Sequence, residues 1–294
     1  MPHPRALVLA LPILLSACGA RAPRLPSRVI DVHTHASFTS DPDPGDDIPY
    51  TRERLLQEWD AAGVVGAVVH LPQGSVAPPD LPGPVRACAG IGPEPDREAL
   101  EAALRSGAVS CMKVYLGYVH LYPSDPAYDV VYELAERYGV PVVFHTGDTS
   151  SSRAKLKYAD PLGVDEVAVD HPQVTFVIAH CGNPWLPSAA EVAYKNPNVY
   201  IECSALLTGD MDALPPDMVE RYVTDAVSYV LGYVERPEKL MFGSDWPLVD
   251  LRSYVRAYAA AVPEEHWRLV FHDNAARVFG LGEQRTGGAD PGGR

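Results

Sequence analysis

Eight short apolar runs punctuate the chain, at residues 30–35, 64–71, 85–91, 108–116, 140–145, 174–180, 199–203 and 239–245. Their length and their Val and Ile content fit strands buried on both faces. Between most of them apolar positions recur every three or four residues, the period of a helix with one face on a core. Helices are predicted over 51–62, 96–106 and 128–138, then a short one through 169, one near 188–195 and one over most of 216–234. Two more close the chain, the second over 264–279. Thr51 and Asp96 stand where N-caps belong, and Gly63 and Gly139 where helices stop. Residues 36–49 and the proline-rich 72–84 read as loops.

Strand and helix in strict alternation argue for a parallel sheet. Eight such units fit a closed (β/α)8 barrel in one α/β catalytic domain, although an open doubly wound sheet satisfies the pattern equally. The polar residues break the tie. His33 and His35 end the first run, Lys113 lies near the end of the fourth, and His145, His180 and Asp245 end the fifth, sixth and eighth. In a barrel, the C-terminal ends of the strands converge on one mouth.

Each of these residues has an ordinary explanation when taken alone. Lys113 can snorkel from a strand end, His180 can be a hydrogen-bonded core histidine, and Asp245 can cap a turn. Together they stand at five strand ends that would face one mouth, a placement that coincidence does not explain. Side chains at i and i+2 of a strand share a face, so His33 and His35 can hold one divalent cation from the same backbone.

Charge and the termini narrow the function further. The 294 residues carry a formal net charge of −14, which argues against nucleic acid as a partner. Residues 1–18 read as a leader, with Arg5 ahead of an apolar stretch too short to span a membrane. Leu15-Ser16-Ala17-Cys18 resembles a bacterial lipobox, which implies a lipid on Cys18. Residues 19–27 then form a tether, 28–281 the barrel, and 282–294 a disordered tail. The expected location is that of an exported lipoprotein anchored in the bacterial envelope. Cys88, Cys111, Cys181 and Cys203 fall in or beside four different strands without zinc-ribbon spacing, and read as buried free thiols.

The segments Ile30-Asp-Val-His-Thr-His35, Phe144-His-Thr-Gly147, Ile178-Ala-His-Cys-Gly182, Phe242-Gly-Ser-Asp-Trp-Pro247 and Asn274-Ala-Ala-Arg-Val-Phe279 resemble the amidohydrolase superfamily. The resemblance is to its amidohydrolase-related branch of metal-dependent hydrolases and decarboxylases, and it covers residues 29–281. It implies a distorted TIM barrel with His33, His35, His145 and Asp245 as metal ligands. The ion implied is zinc first, with manganese or iron as alternatives. Asp245 would also serve as general base and then acid, with His180 on the water or the scissile carbonyl. Lys113 is either carbamylated between two ions or a free ammonium facing a substrate carboxylate, with one ion favoured over two.

The activity implied is hydrolysis of an amide, lactone or ester-like bond in a small molecule. The alternative is non-oxidative decarboxylation of an aromatic or unsaturated acid, and the remote alternative a non-catalytic binding lipoprotein. Arg153, Lys155 and Lys157 are placed to meet an anionic group. Tyr115, Tyr118, His120 and Tyr122 suit a pocket wall, and Trp246 its rim.

Overall fold

The computed structural model describes residues 24–38 and 50–282. The leader, residues 19–23 of the tether, residues 39–49 of the first loop and residues 283–294 lie outside the described residues.

Eight strands form one sheet in sequence order, and every neighbouring pair is parallel. They are β1 (Val29–Thr34), β2 (Val64–His70), β3 (Val85–Ile91), β4 (Cys111–Val114), β5 (Val142–Phe144), β6 (Phe176–Ile178), β7 (Val199–Glu202) and β8 (Leu240–Met241). The backbone just after β8 returns to β1. Val32 N donates to Phe242 O (3.1 Å), Asp245 N to His33 O (2.7 Å) and His35 N to Trp246 O (2.8 Å). These bonds bring the two edges together, giving the nearly closed barrel that strand order and strand-end chemistry predict.

Around it lie α1 (Arg52–Ala62), α2 (Arg97–Ser106), α3 (Asp129–Tyr138), α4 (Leu162–Asp170), α5 (Leu186–Lys195), α6 (Pro216–Val219), α7 (Asp225–Val234), α8 (Leu251–Ala261) and α9 (Asn274–Val278). The expected caps form: Thr51 Oγ1 accepts from Arg54 N and Asp96 Oδ1 from Ala99 N. α1 stops at Gly63, whose φ of 71° a side chain would resist. The proline-rich segment after β2 has no helix among its described residues. Instead it packs on β3, where Gly74 N donates to Gly90 O.

The apolar residues divide into two cores. The larger lies between strands and helices. The smaller fills the barrel with Ile30, Val32, Val68, Val143, Val177 and Met241, and Ala275 and Phe279 plug its lower end. Asn274 fixes that plug, donating from Nδ2 to Pro237 O and Leu240 O at 2.8 Å each. The plug therefore closes the end opposite the predicted mouth.

The cysteines correct the sequence expectation. Cys88 is joined to Cys111, and Cys181 to Cys203, as disulfides. Placement in separate strands suggested separate thiols, but pairing decides the matter. Cys88 and Cys111 are direct partners across β3 and β4, with Cα atoms 4.2 Å apart. Cys181 follows β6 and Cys203 follows β7, with Cα atoms 4.7 Å apart.

Candidate metal centre

A register shift between Asp31 and Thr34 in the β1–β2 ladder positions the first two candidate ligands. Val32 packs in the barrel interior, so strict alternation would send His33 to the opposite face. The shift turns His33 inward, and His35 with it. Asp31 holds this bend. Its buried carboxylate accepts from His33 N (3.1 Å), Thr34 Oγ1 (3.0 Å), Ser244 N (2.9 Å) and Ser244 Oγ (2.6 Å). Burial pushes the Asp31 carboxyl up to about 6 against the pull of those donors.

Asp245 reaches the same point from beyond β8, on a backbone with φ of 63°. Left-handed backbone in a residue with a side chain costs on the order of 1–3 kcal/mol, a strain that clusters at functional sites. One ligand atom each from His33, His35 and Asp245 lies within 4.8 Å of the others. Asp245 Oδ1 is 3.4 Å from His33 Nε2 and 3.2 Å from His35 Nε2.

Proton bookkeeping shows what that convergence fits. His33 Nδ1 is 2.6 Å from Glu202 Oε1 and His35 Nδ1 is 3.3 Å from His70 O. Carboxylates and carbonyls only accept, so in each neutral ring Nδ1 carries the proton and Nε2 is a bare lone pair. Both lone pairs face Asp245 Oδ1, a buried oxygen with no hydrogen-bond donor. Three electron-rich atoms around one point repel each other unless a cation lies among them. Two imidazoles and a carboxylate are the donor set of a zinc or manganese site.

The electrostatics agree. Burial, then the positive charge of Lys113, holds His33 well below its usual range. For Asp245, burial opposes ionisation, while the positive charge of Lys113 favours it.

His145 stands apart from that group. Its Nε2 donates to Asp148 O (2.9 Å), leaving Nδ1 to accept from His180 Nε2 (3.0 Å). Both ring nitrogens are engaged, and His145 can ligate only by giving up one of these bonds. His180 Nδ1 then accepts from Ser204 Oγ at 2.8 Å and lies 3.9 Å from Asp245 Oδ2. Burial, opposed by Asp245, takes His180 down to about 4, so the ring is neutral at pH 7. Lys113 is fully buried on β4, with Nζ 3.4 Å from His33 Nε2. Burial pulls its ammonium down, countered by Glu202 and Asp245.

Four contributors were not singled out in the sequence: Glu202, Ser204, His70 and Asp31. Glu202 ends β7 and His70 ends β2, both completely or almost completely buried. The rule that exposed the other residues, a polar group closing an apolar run, applies to both. His33, His180 and Glu202 also converge within 4.8 Å, but Ser204 Oγ already links them, at 3.2, 2.8 and 3.1 Å.

Trp246 does not rim a pocket. It is 1% exposed, packed edge-on to Phe38 and Tyr50. The aromatic segment after β4 and the basic loop after β5 pack on each other. His120 approaches Arg153 O at 3.1 Å and stacks on Tyr158, while Lys157 Nζ lies 4.7 Å from the Tyr158 ring. Tyr118 meets the ring of His145, one of the predicted ligands, edge-on at 5.0 Å.

The amidohydrolase family model matches residues 30–281. Comparison with curated proteins finds no match. Among solved structures, an uncharacterised TIM-barrel protein from Bordetella bronchiseptica is 18% identical, with a TM-score of 0.65 over 86% of this chain and 99% of that one. A candidate 2-pyrone-4,6-dicarboxylic acid hydrolase from Pseudomonas putida is 17% identical, with a TM-score of 0.63 over 86% and 97%. A 5-carboxyvanillate decarboxylase from Novosphingobium aromaticivorans, complexed with manganese and 4-hydroxy-3-methoxy-5-nitrobenzoic acid, is 13% identical, with a TM-score of 0.57 over 77% and 79%. Identities this low establish the fold alone.

Proposed function

The chain belongs to the amidohydrolase family, whose members are metal-dependent enzymes, and from that premise we propose that it hydrolyses an amide, lactone or ester-like bond of a small substrate. The observation that carries the proposal is Asp245 Oδ1, buried without a donor between two bare imidazole nitrogens. His33, His35 and Asp245 would hold one divalent cation, zinc first. His145 is the fourth candidate if it leaves Asp148 O or His180. Such an ion polarises a carbonyl and lowers the pKa of a water.

The chain's own groups supply the rest. Asp245, kept ionised, accepts a proton from the attacking water as its oxygen bonds to the substrate carbonyl carbon. The bond to the leaving nitrogen or oxygen then breaks as Asp245 returns that proton to it. His180, neutral and braced by His145 and Ser204, can meet the water or the carbonyl by giving up one of those two bonds. Lys113 is close enough to the cluster for its ammonium to attract a substrate carboxylate.

That last feature also suits a decarboxylase, the second reading, because a buried cation beside the site could seat the departing carboxylate. Purified protein supplied with zinc or manganese should be assayed against amides, lactones and carboxylated aromatics in ¹⁸O-labelled water. The proposal predicts label in the product acid. Release of CO₂ without label would replace it by the second reading, and neither outcome would leave the binding lipoprotein.

We also propose export with a lipid on Cys18. Two disulfides support it, since they persist in oxidising compartments. Arg24 lies six residues beyond Cys18, a reach of at most about 20 Å. Because β1 starts at the plugged end of the barrel, such an anchor would point the mouth away from the bilayer. Among the described residues, no helix is long and apolar enough to cross a membrane. A Cys18→Ser variant should lose fatty-acid label, and unchanged labelling would refute the anchor.

A further inference from the structure

We infer that Glu202 is a positioning residue for the cation site, holding His33 as the tautomer whose Nε2 points at Asp245 and His35. The inference rests on the cation-site reading above and adds a group from a strand that contributes no ligand to it. Glu202 closes β7, and its side chain and that of His33 are each 1% exposed. Oε1 lies 2.6 Å from His33 Nδ1, the shortest of the contacts made by that ring.

The choice of a carboxylate matters. His33 Nδ1 has one other polar neighbour, Ser204 Oγ at 3.2 Å, and a hydroxyl both donates and accepts. Facing the hydroxyl alone, which can turn from His180 to donate to His33, the His33 ring could carry its proton on either nitrogen, and one of the two forms would point N–H at the cation. A carboxylate accepts only. It fixes the proton on Nδ1, and a charged partner there also raises the basicity of Nε2.

Glu202 is itself held. Ser204 N donates to Oε2 at 2.7 Å. Gly243 leaves the space it occupies: a Cβ there would lie 2.8 Å from Glu202 Oε2 and 3.0 Å from His33 Cβ.

The test compares the full chain with Glu202→Gln and Glu202→Ala, stripped of metal by a chelator. Long-range ¹H–¹⁵N spectra of the histidine rings report tautomers without any metal, and cobalt titration followed by visible absorption reports affinity. The parent should show His33 with its proton on Nδ1. Glu202→Ala should show a mixture and weaken cobalt binding about 10–100-fold. Glu202→Gln, whose amide oxygen can still accept, should fall between the two and carries the test if the alanine variant does not fold. A variant that keeps the Nδ1–H form and binds cobalt within about twofold of the parent would overturn the role of Glu202. A parent that takes up no cobalt would overturn the cation site itself, a different result. A merely structural glutamate would shift the melting temperature and leave the tautomer unchanged.

Discussion

Gly243 shows how little slack surrounds the histidine–carboxylate cluster. Ordinary carbon contacts begin near 3.4 Å, whereas a methyl at this position would meet Glu202 and His33 at 3.0 Å or less. Gly243→Ala should therefore displace the Glu202–His33 pair, costing about 1–3 kcal/mol of stability and lowering kcat/KM by at least about tenfold. Urea unfolding and steady-state kinetics would check both, and a variant with parental values would mean that the pair tolerates movement. The candidate ligands were legible in the sequence because histidines and an aspartate, each with an ordinary explanation alone, recur at the ends of several apolar runs. Glu202 was not singled out, although it lies one residue short of the end of the run 199–203, because its partner stands on another strand. Only the pairing of β7 with β8 and the inward turn at Asp31 bring it to His33. The same holds for His145: its place at a strand end was readable, but the hydrogen bonds that occupy both its nitrogens were not.

Helices and strands were predicted well in number and order, less well in length. β8 spans only Leu240–Met241, where the apolar run suggested 239–245, because the chain beyond it leaves the ladder to bring Asp245 to the mouth. Lys239, just ahead of β8, illustrates how an element end is secured. Its buried Nζ donates to Ala193 O and Asn196 O, carbonyls at the C-terminal end of α5 that the helix cannot satisfy itself. Burial, aided by Arg236, brings the Lys239 ammonium down to about 8, against roughly 10.4 in an unfolded chain. Between those values the unfolded state holds more protons, so stability contributed at this site rises with pH through that window and is flat below it. Unfolding free energies of the parent minus those of Lys239→Met should increase between pH 8 and 10 by on the order of 1 kcal/mol per pH unit. A difference that stays constant or falls would mean that Lys239 keeps its proton in the fold.

The barrel as a whole followed from eight apolar runs and the polar residues near the ends of five of them, because a parallel sheet with chemistry gathered at its C-terminal ends has one economical geometry. What stayed hidden was lateral. Which strand faces which residue decides that Cys88 meets Cys111 and that Cys181 meets Cys203, and no spacing in the sequence encodes it. The central claim is also a statement about convergence: β1 and the segment after β8 deliver three electron-rich atoms to one point, and a divalent cation resolves their repulsion. The most direct test is the metal content of the purified full chain, grown with zinc or manganese and dialysed, beside its Asp245→Ala and His33→Ala variants. The account predicts one to two equivalents in the parent and less than about a tenth of that in each variant, which must remain folded by circular dichroism. Variants that retain the parent's full metal content would contradict it.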